Sequence, residues 1–302
     1  MRRRFHTLDV FTQERFGGNP LAVVRDCQGL DTALMQRIAR EFNLSETVFM
    51  LDARDPVNTA RIRIFTPVSE LPFAGHPTIG TAVLIGLLQA PKLIVAQDVG
   101  IVIEEEIGLV SCTVRQRNGH TRAEFTLARL PEQAGMAGER ALIAKALSLE
   151  EGDIGFERHE PSVWSAGFAI SFVPVASRMA IARARANLAH WDAAFAGAAG
   201  AAVFLYTNDV VEEGSHVHAR MFAPKLGIAE DPATGAAAAA FAGVCMTCEQ
   251  PEDGEHFVVI EQGYEMGRPS QIVLKLHVAN GALLSASIGG AAVQVSEGTI
   301  EA

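Results

Sequence analysis

At 302 residues the chain exceeds the usual span of one hydrophobic core and approaches twice the common domain size, so two domains are expected. A hydrophobic content of 49% is enough for two cores, whereas 35 acidic against 25 basic residues, a net charge of -10, exclude the clustered positive surface of a nucleic-acid binder. The start, MRRRFHTLDVF, carries a basic triplet that His6, Thr7 and Asp9 keep from leading into an apolar run, and the most apolar segment, TGAAAAAFAGVCMTC, is short for a bilayer, so neither export nor membrane insertion is expected.

In chain order, FHTLDVF and LAVV read as strands around a Gly-Gly-Asn-Pro turn, and TALMQRIAREF has helical spacing at Leu34, Ile38 and Phe42. TVFML and ARIRIF are β-rich, with Arg61 and Arg63 alternating as one exposed face. The loop TPVSELPFAGHP leads into the apolar helix TIGTAVLIGLLQ, and KLIVAQ, GIVIEEE, GLVSCTVRQ and RAEFTL read as strands. The second half recites this order. GFAISFVPV takes the place of GNPLAVV, a polar-alanine helix covers residues 179–190, and AAVFLYT and VHARMF are strands. A second loop then opens the alanine-rich helix, and HFVVIEQ, QIVLKLHV, LLSASIGG and AVQVSE close the chain.

The repeat is densest at IFTPVSELPFAGHPTIGTA (64–82) and MFAPKLGIAEDPATGAA (221–237), which align with a two-residue gap. A period near 150 residues is far too long for a solenoid unit. The reading is an α+β fold of two pseudo-symmetric domains, 1–129 and 130–302, each a curled, mostly antiparallel sheet around one central helix, with the last strand able to return to the N-terminal domain. Pro77 and Pro232 mark the helix starts, because proline lacks the amide hydrogen that goes unpaired in a first turn. Free amides and the helix dipole would favour an anion there, and the small residues Gly75, Gly80, Gly235 and Ala236 would admit it. Two such starts facing one cleft would clamp a small carboxylate; duplicated helix capping is the alternative.

His76 and Asp231 stand directly before the two prolines, an acid/base candidate from each domain at the same structural position. Glu46, in FNLSETVFM, lies in a segment suited to burial, which would raise its pKa toward usable values. Four cysteines make no disulfide framework in a chain of this length. The Cys245-x-x-Cys248 pair lies late in a helix without a second pair, so buried packing in a reducing cytoplasm is expected, with no metal. His216 and His218 alternate along a strand and read as sheet residues rather than ligands.

The stretches DVFTQERFGGNPLAVV, EFNLSETVFM, RIFTPVSELPFAGHPTIGTA, EDPATGAAAAA, QGYEMGRPS and IGGAAVQVSEG together resemble the phenazine biosynthesis PhzF-like family, over residues 8–298. The resemblance implies a diaminopimelate epimerase-like fold with the site between two domains, no cofactor, and a homodimer. It implies Glu46 as the acid/base that moves a proton on a dihydro-hydroxyanthranilate-type ring, His76 and Asp231 as further polar site residues, and Gly75 and Gly235 where backbone approaches the ligand. Pro77, Thr234 and Ala236 belong to the same loops, and Glu70 to the same pattern as a cleft residue. The related epimerases use a cysteine from each domain; no thiol stands in these motifs. The family's second loop usually reads D-P-A-T-G-S, and here Ala236 replaces the serine. An isomerase of a small unsaturated carboxylate is the expected function. The alternatives are an epimerase or racemase of a small amino or hydroxy acid, and a carboxylate-binding protein without catalysis.

Overall fold

The computed structural model describes residues 1–195 and 197–302. Two compact units emerge, Met1–Thr126 with Gly289–Ala302, and Leu127–Ile288. The first contains β1 (Arg2–Val10), β2 (Asn19–Val24), α1 (Thr32–Phe42), β3 (Glu46–Leu51), β4 (Ala60–Phe65), β5 (Glu70–Leu71), α2 (Gly75–Gln89), α3 (Leu93–Ala96), β6 (Val99–Glu105), β7 (Gly108–Arg117) and β8 (His120–Thr126). Strand β1 runs antiparallel to β2, β2 parallel to β3 across α1, and β3 antiparallel to β4. Strand β4 is parallel to β6 across α2, and β6, β7 and β8 form an antiparallel meander.

Helix α2 is buried continuously from Gly75 to Gly86 and touches β1, β2, β3, β6, β7 and β8, so the strands curl around it. A helix apolar on every side has no face to give to water, and its place is the core. Gly80 permits the closest approach. A Cβ there would fall 2.6 Å from Leu21 Cδ2 and 2.7 Å from Val10 Cγ2.

The second unit contains β9 (Glu132–Gln133), α4 (Arg140–Leu147), β10 (Ser162–Ser165), β11 (Ala169–Pro174), α5 (Arg178–Arg183), α6 (Leu188–Ala194), β12 (Val203–Thr207), β13 (Val217–Ala223), β14 (Ile228–Asp231), α7 (Gly235–Cys248), β15 (Gly254–Gln262) and β16 (Ser270–Ala279). Its pairings repeat those of the first: β11 parallel to β12, β12 antiparallel to β13, β13 parallel to β15, β15 antiparallel to β16. Helix α7 occupies the place of α2, packed against Phe172, Phe204 and Tyr206 through Phe241. Strand β17 (Ala282–Glu301) begins in the second unit and ends in the first, where residues 292–301 pair with β1.

The repeat extends to side-chain bonds. Arg63 grips Glu70 through two bonds of 2.6 Å, and Arg220, its counterpart in the second unit, grips Glu230 at 2.7 and 2.8 Å. Glu104 accepts from the backbone amides of Arg54 and Asp55, both at 2.9 Å. Glu261, offset from Glu104 by the same interval that separates Arg220 from Arg63, accepts from those of Val211 and Glu212 at 2.6 and 3.0 Å.

Several expected elements differ. KLIVAQ is not a strand: the amides of Leu93 and Ile94 donate to Ala90 O, and the chain turns as α3 before β6. Short apolar runs suit either structure, and here the end of α2 decides. The helix expected over 179–190 is two, α5 and α6. Arg220 Nη1 donates to the carbonyls of Ile181, Ala182 and Ala184, taking up the acceptors at the end of α5, and Asn187 caps α6 by accepting from Ala189 N. LLSASIGG and AVQVSE are one strand, β17, because extended backbone continues through both glycines.

Candidate active site

Glu46 is the first residue of β3, and the end of α1 puts it there. Asp31 caps that helix by accepting from Leu34 N at 2.7 Å. Asn43 closes it in the left-handed conformation, turning the chain into β3. His76 is the second residue of α2. The two meet: His76 Nε2 lies 3.2 Å from Glu46 Oε2, with side chains 6% and 11% exposed. Their approach lacks hydrogen-bond alignment. Burial pushes the His76 imidazolium down to about 3, so near neutral pH the ring beside Glu46 is uncharged. A nearly enclosed carboxyl group beside a neutral imidazole is suited to taking up or releasing a proton.

The two helix starts are not equivalent, contrary to the expectation from the paired prolines. Helix α2 begins at Gly75, so His76 and Pro77 lie within its first turn, where a missing amide hydrogen costs nothing. Helix α7 begins at Gly235 with Thr234 as N-cap, so Pro232 precedes it and Asp231 ends β14. The cause is Gln262. Its amide donates to Asp231 O at 2.6 Å and accepts from Thr234 N at 3.0 Å, holding the segment outside the helix, while Thr234 Oγ1 donates to Asp231 Oδ2 at 2.6 Å. Neither N-cap side chain, Ala74 or Thr234, caps its helix. Gly235 is buried and Ala236 half-buried in the first turn of α7.

Thus Glu46, Gly75, His76 and Pro77 come together in the first unit, and Asp231, Thr234, Gly235 and Ala236 in the second. Glu70 stands apart from them at β5, with each carboxylate oxygen accepting from Arg63. Arg61 and Arg63 are accordingly no exposed face. Arg63 is half-buried, also donating to Thr32 Oγ1 at 2.9 Å, and Arg61 is half-buried as well. Burial pushes the thiols of Cys27 and Cys112 up to about 12 and raises that of Cys245 further, so these cysteines are poor proton carriers. Among the described residues no cluster of His, Cys, Asp and Glu is arranged to hold a metal, and no helix is long and apolar enough to cross a membrane.

Two buried acidic networks escaped the sequence reading. His218 donates or accepts at 2.7 Å with Glu261 and 3.0 Å with Glu265. Burial lowers its pKa, but the two carboxylates outweigh that and raise it to about 9. Glu105, at the end of β6, meets Thr78 of α2 at 2.7 Å. Both partners are distant in sequence, and only the match of positions 104–105 to 261–262 could have pointed to them.

A curled sheet around a buried helix, made twice, with Glu46 beside His76 at one helix start and Asp231 before the other, defines the epimerase-like fold. The phenazine biosynthesis-like protein family matches residues 8–298. An uncharacterized isomerase of Mesorhizobium japonicum is 48% identical, covering 99% of this chain and 98% of that one. The trans-2,3-dihydro-3-hydroxyanthranilate isomerase of Pseudomonas fluorescens is 34% identical, covering 97% of each. A Bacillus anthracis phenazine biosynthesis protein of the PhzF family superposes with a TM-score of 0.89 at 26% identity, covering both chains completely. The chain belongs to the phenazine biosynthesis-like family, and its reaction class is that of an isomerase.

Proposed function

We propose that this enzyme moves a double bond in a small unsaturated carboxylate of the dihydro-hydroxyanthranilate type, with Glu46 as the proton carrier. The observation that supports this reading most directly is the 3.2 Å approach of Glu46 to a neutral His76 at the start of α2. The ionised carboxylate of Glu46 takes a proton from a carbon beside the double bond. The electron pair of the broken C–H bond enters the conjugated system, the double bond shifts, and Glu46 returns the proton to the far carbon. No electrons are gained or lost overall, so the step calls for no oxidant and no cofactor. His76 and Asp231 orient the substrate, and helix-start amides around Gly75 and Gly235 stabilise charge that develops on its oxygens. Pro77, Thr234 and Ala236 complete the two loops.

The substrate itself is carried over from the relatives that act on trans-2,3-dihydro-3-hydroxyanthranilate. The test is incubation of that ring acid with the enzyme in deuterated water, followed by NMR. Conversion lost in Glu46→Gln supports the reading. No conversion by the unaltered enzyme rejects this ring acid, and the same assay over a panel of small unsaturated and amino carboxylates then identifies the compound processed. A cytoplasmic homodimer belongs to the same proposal, and sedimentation at micromolar concentration checks the dimer.

A further inference from the structure

We propose that Glu105 is a positioning residue for the His76 turn, acting as a neutral carboxylic acid in the role that Gln262 plays in the second unit. This rests on the assignment of His76 to the active site. Glu105 follows Glu104 as Gln262 follows Glu261, and the two leading glutamates perform the same backbone-capping task, one in each unit. Gln262 holds the start of α7 through Asp231 O and Thr234. Glu105 holds the start of α2 through Thr78, two residues after His76.

Hydrogen counting favours a protonated Glu105. Thr78 Oγ1 lies 2.8 Å from Ala74 O and 2.7 Å from Glu105 Oε1, and the hydroxyl has a single proton. Were Glu105 ionised, two acceptors would compete for that proton: either the carboxylate loses it, or Ala74 O keeps only its 3.3 Å bond from Thr78 N. With the proton on Glu105, its O–H donates to Thr78 Oγ1, Thr78 donates to Ala74 O, and the N-cap residue of α2 is tied to β6. The other oxygen, Glu105 Oε2, is buried without a hydrogen-bond partner among the described residues, a state far cheaper for a neutral acid than for a carboxylate.

No charged group is among the causes that shift Glu105. On β7, Cys112 is a thiol with its pKa pushed up to about 12; on α2, His76 is neutral; on β4, Arg61 stands opposite Glu104 in the strand register. The chain neighbours Glu104 and Glu106 are acidic. Burial accordingly pushes Glu105 up to about 8, even allowing for Thr78 as a donor to its ionised form. Glutamine has the same shape and no charge, so either residue at this place is chemically equivalent below that pH.

The experiment compares the unaltered enzyme with Glu105→Gln, Glu105→Leu and Thr78→Val, each tested by circular dichroism for folding. Glu105→Leu and Thr78→Val are expected to lower kcat by about 10- to 100-fold through a displaced His76 turn. Glu105→Gln is expected to restore what Glu105→Leu loses and to remove the fall in kcat expected of the unaltered enzyme as pH rises through about 8. A glutamine variant as impaired as the leucine variant, or a leucine variant with unimpaired kcat, overturns the proposal. Unfolding by urea between pH 5 and 9 gives an arm that needs no substrate. The unaltered protein should lose stability relative to Glu105→Gln as pH rises toward 8, and parallel profiles would overturn the neutral-acid role even if the isomerase assignment failed.

Discussion

Glu46 and His76 carry the proposed chemistry. Each sits at the edge of an element, each is nearly enclosed, and their significance is the 3.2 Å between them. Glu46→Gln keeps the shape and removes the proton acceptor, so turnover is expected to fall by at least ~100-fold with folding retained; single-turnover NMR assays check this, and near-normal turnover would remove Glu46 from the chemistry. His76 also makes the protein acid-sensitive. Its ordinary pKa of 6.5 is lowered to about 3, so its contribution is complete above 6.5 and lost as pH falls toward 3. Replacing it by Asn should reduce that acid loss in urea titrations at pH 4 against pH 7. Ala236 stands where the family pattern has serine, half-buried in the first turn of α7. Ala236→Ser is expected to raise turnover of the dihydroanthranilate ring; unchanged turnover in a kinetic comparison would point to another substrate.

At the level of elements, the two central helices were legible because their apolar residues cover all sides, and no surface helix has that pattern. Their starts were not. Both loops present a proline before small residues, yet Pro77 lies inside α2 and Pro232 before α7, because Gln262 reaches back from β15 to hold Asp231 and Thr234. The helix at 179–190 failed for a similar reason: Arg220, far beyond its end in sequence, takes its carbonyls. Packing of α7 gives a sharp test. A Cβ on Gly243 would fall well inside van der Waals contact with the Trp164 ring, against a rigid indole rather than a flexible chain end. Gly243→Ala is expected to destabilise the second unit by about 1–3 kcal/mol, measured by thermal unfolding; an unchanged melting temperature would mean that the indole has room to move.

For the whole molecule, β17 is the element that the two units share in sequence, since it leaves the second unit and supplies residues 292–301 as the partner of β1. Deleting residues 291–302 should therefore loosen the first unit, exposing the amides of β1 to rapid hydrogen exchange while β15 and β16 stay protected. Alkaline stability also sums over both units. His218 has its pKa raised from 6.5 to about 9, so its contribution is complete below 6.5 and lost as pH rises through 9, and Glu105 weakens the fold over the window from 4.5 to about 8.

The sequence by itself determined the duplicated α+β topology, the buried central helices, the family and the residues at which to look, because hydrophobic period and repeated loops are local signals that survive without coordinates. Only the tertiary structure decided which charges were already engaged. Glu70 is engaged by Arg63 on a neighbouring strand, Glu105 has its pKa raised by burial, and His218 has its pKa raised by two carboxylates on other elements. Burial and hydrogen-bond partnership arise when distant segments meet, and those two quantities determine whether a carboxyl group carries a proton, holds the fold together or stands ready to react.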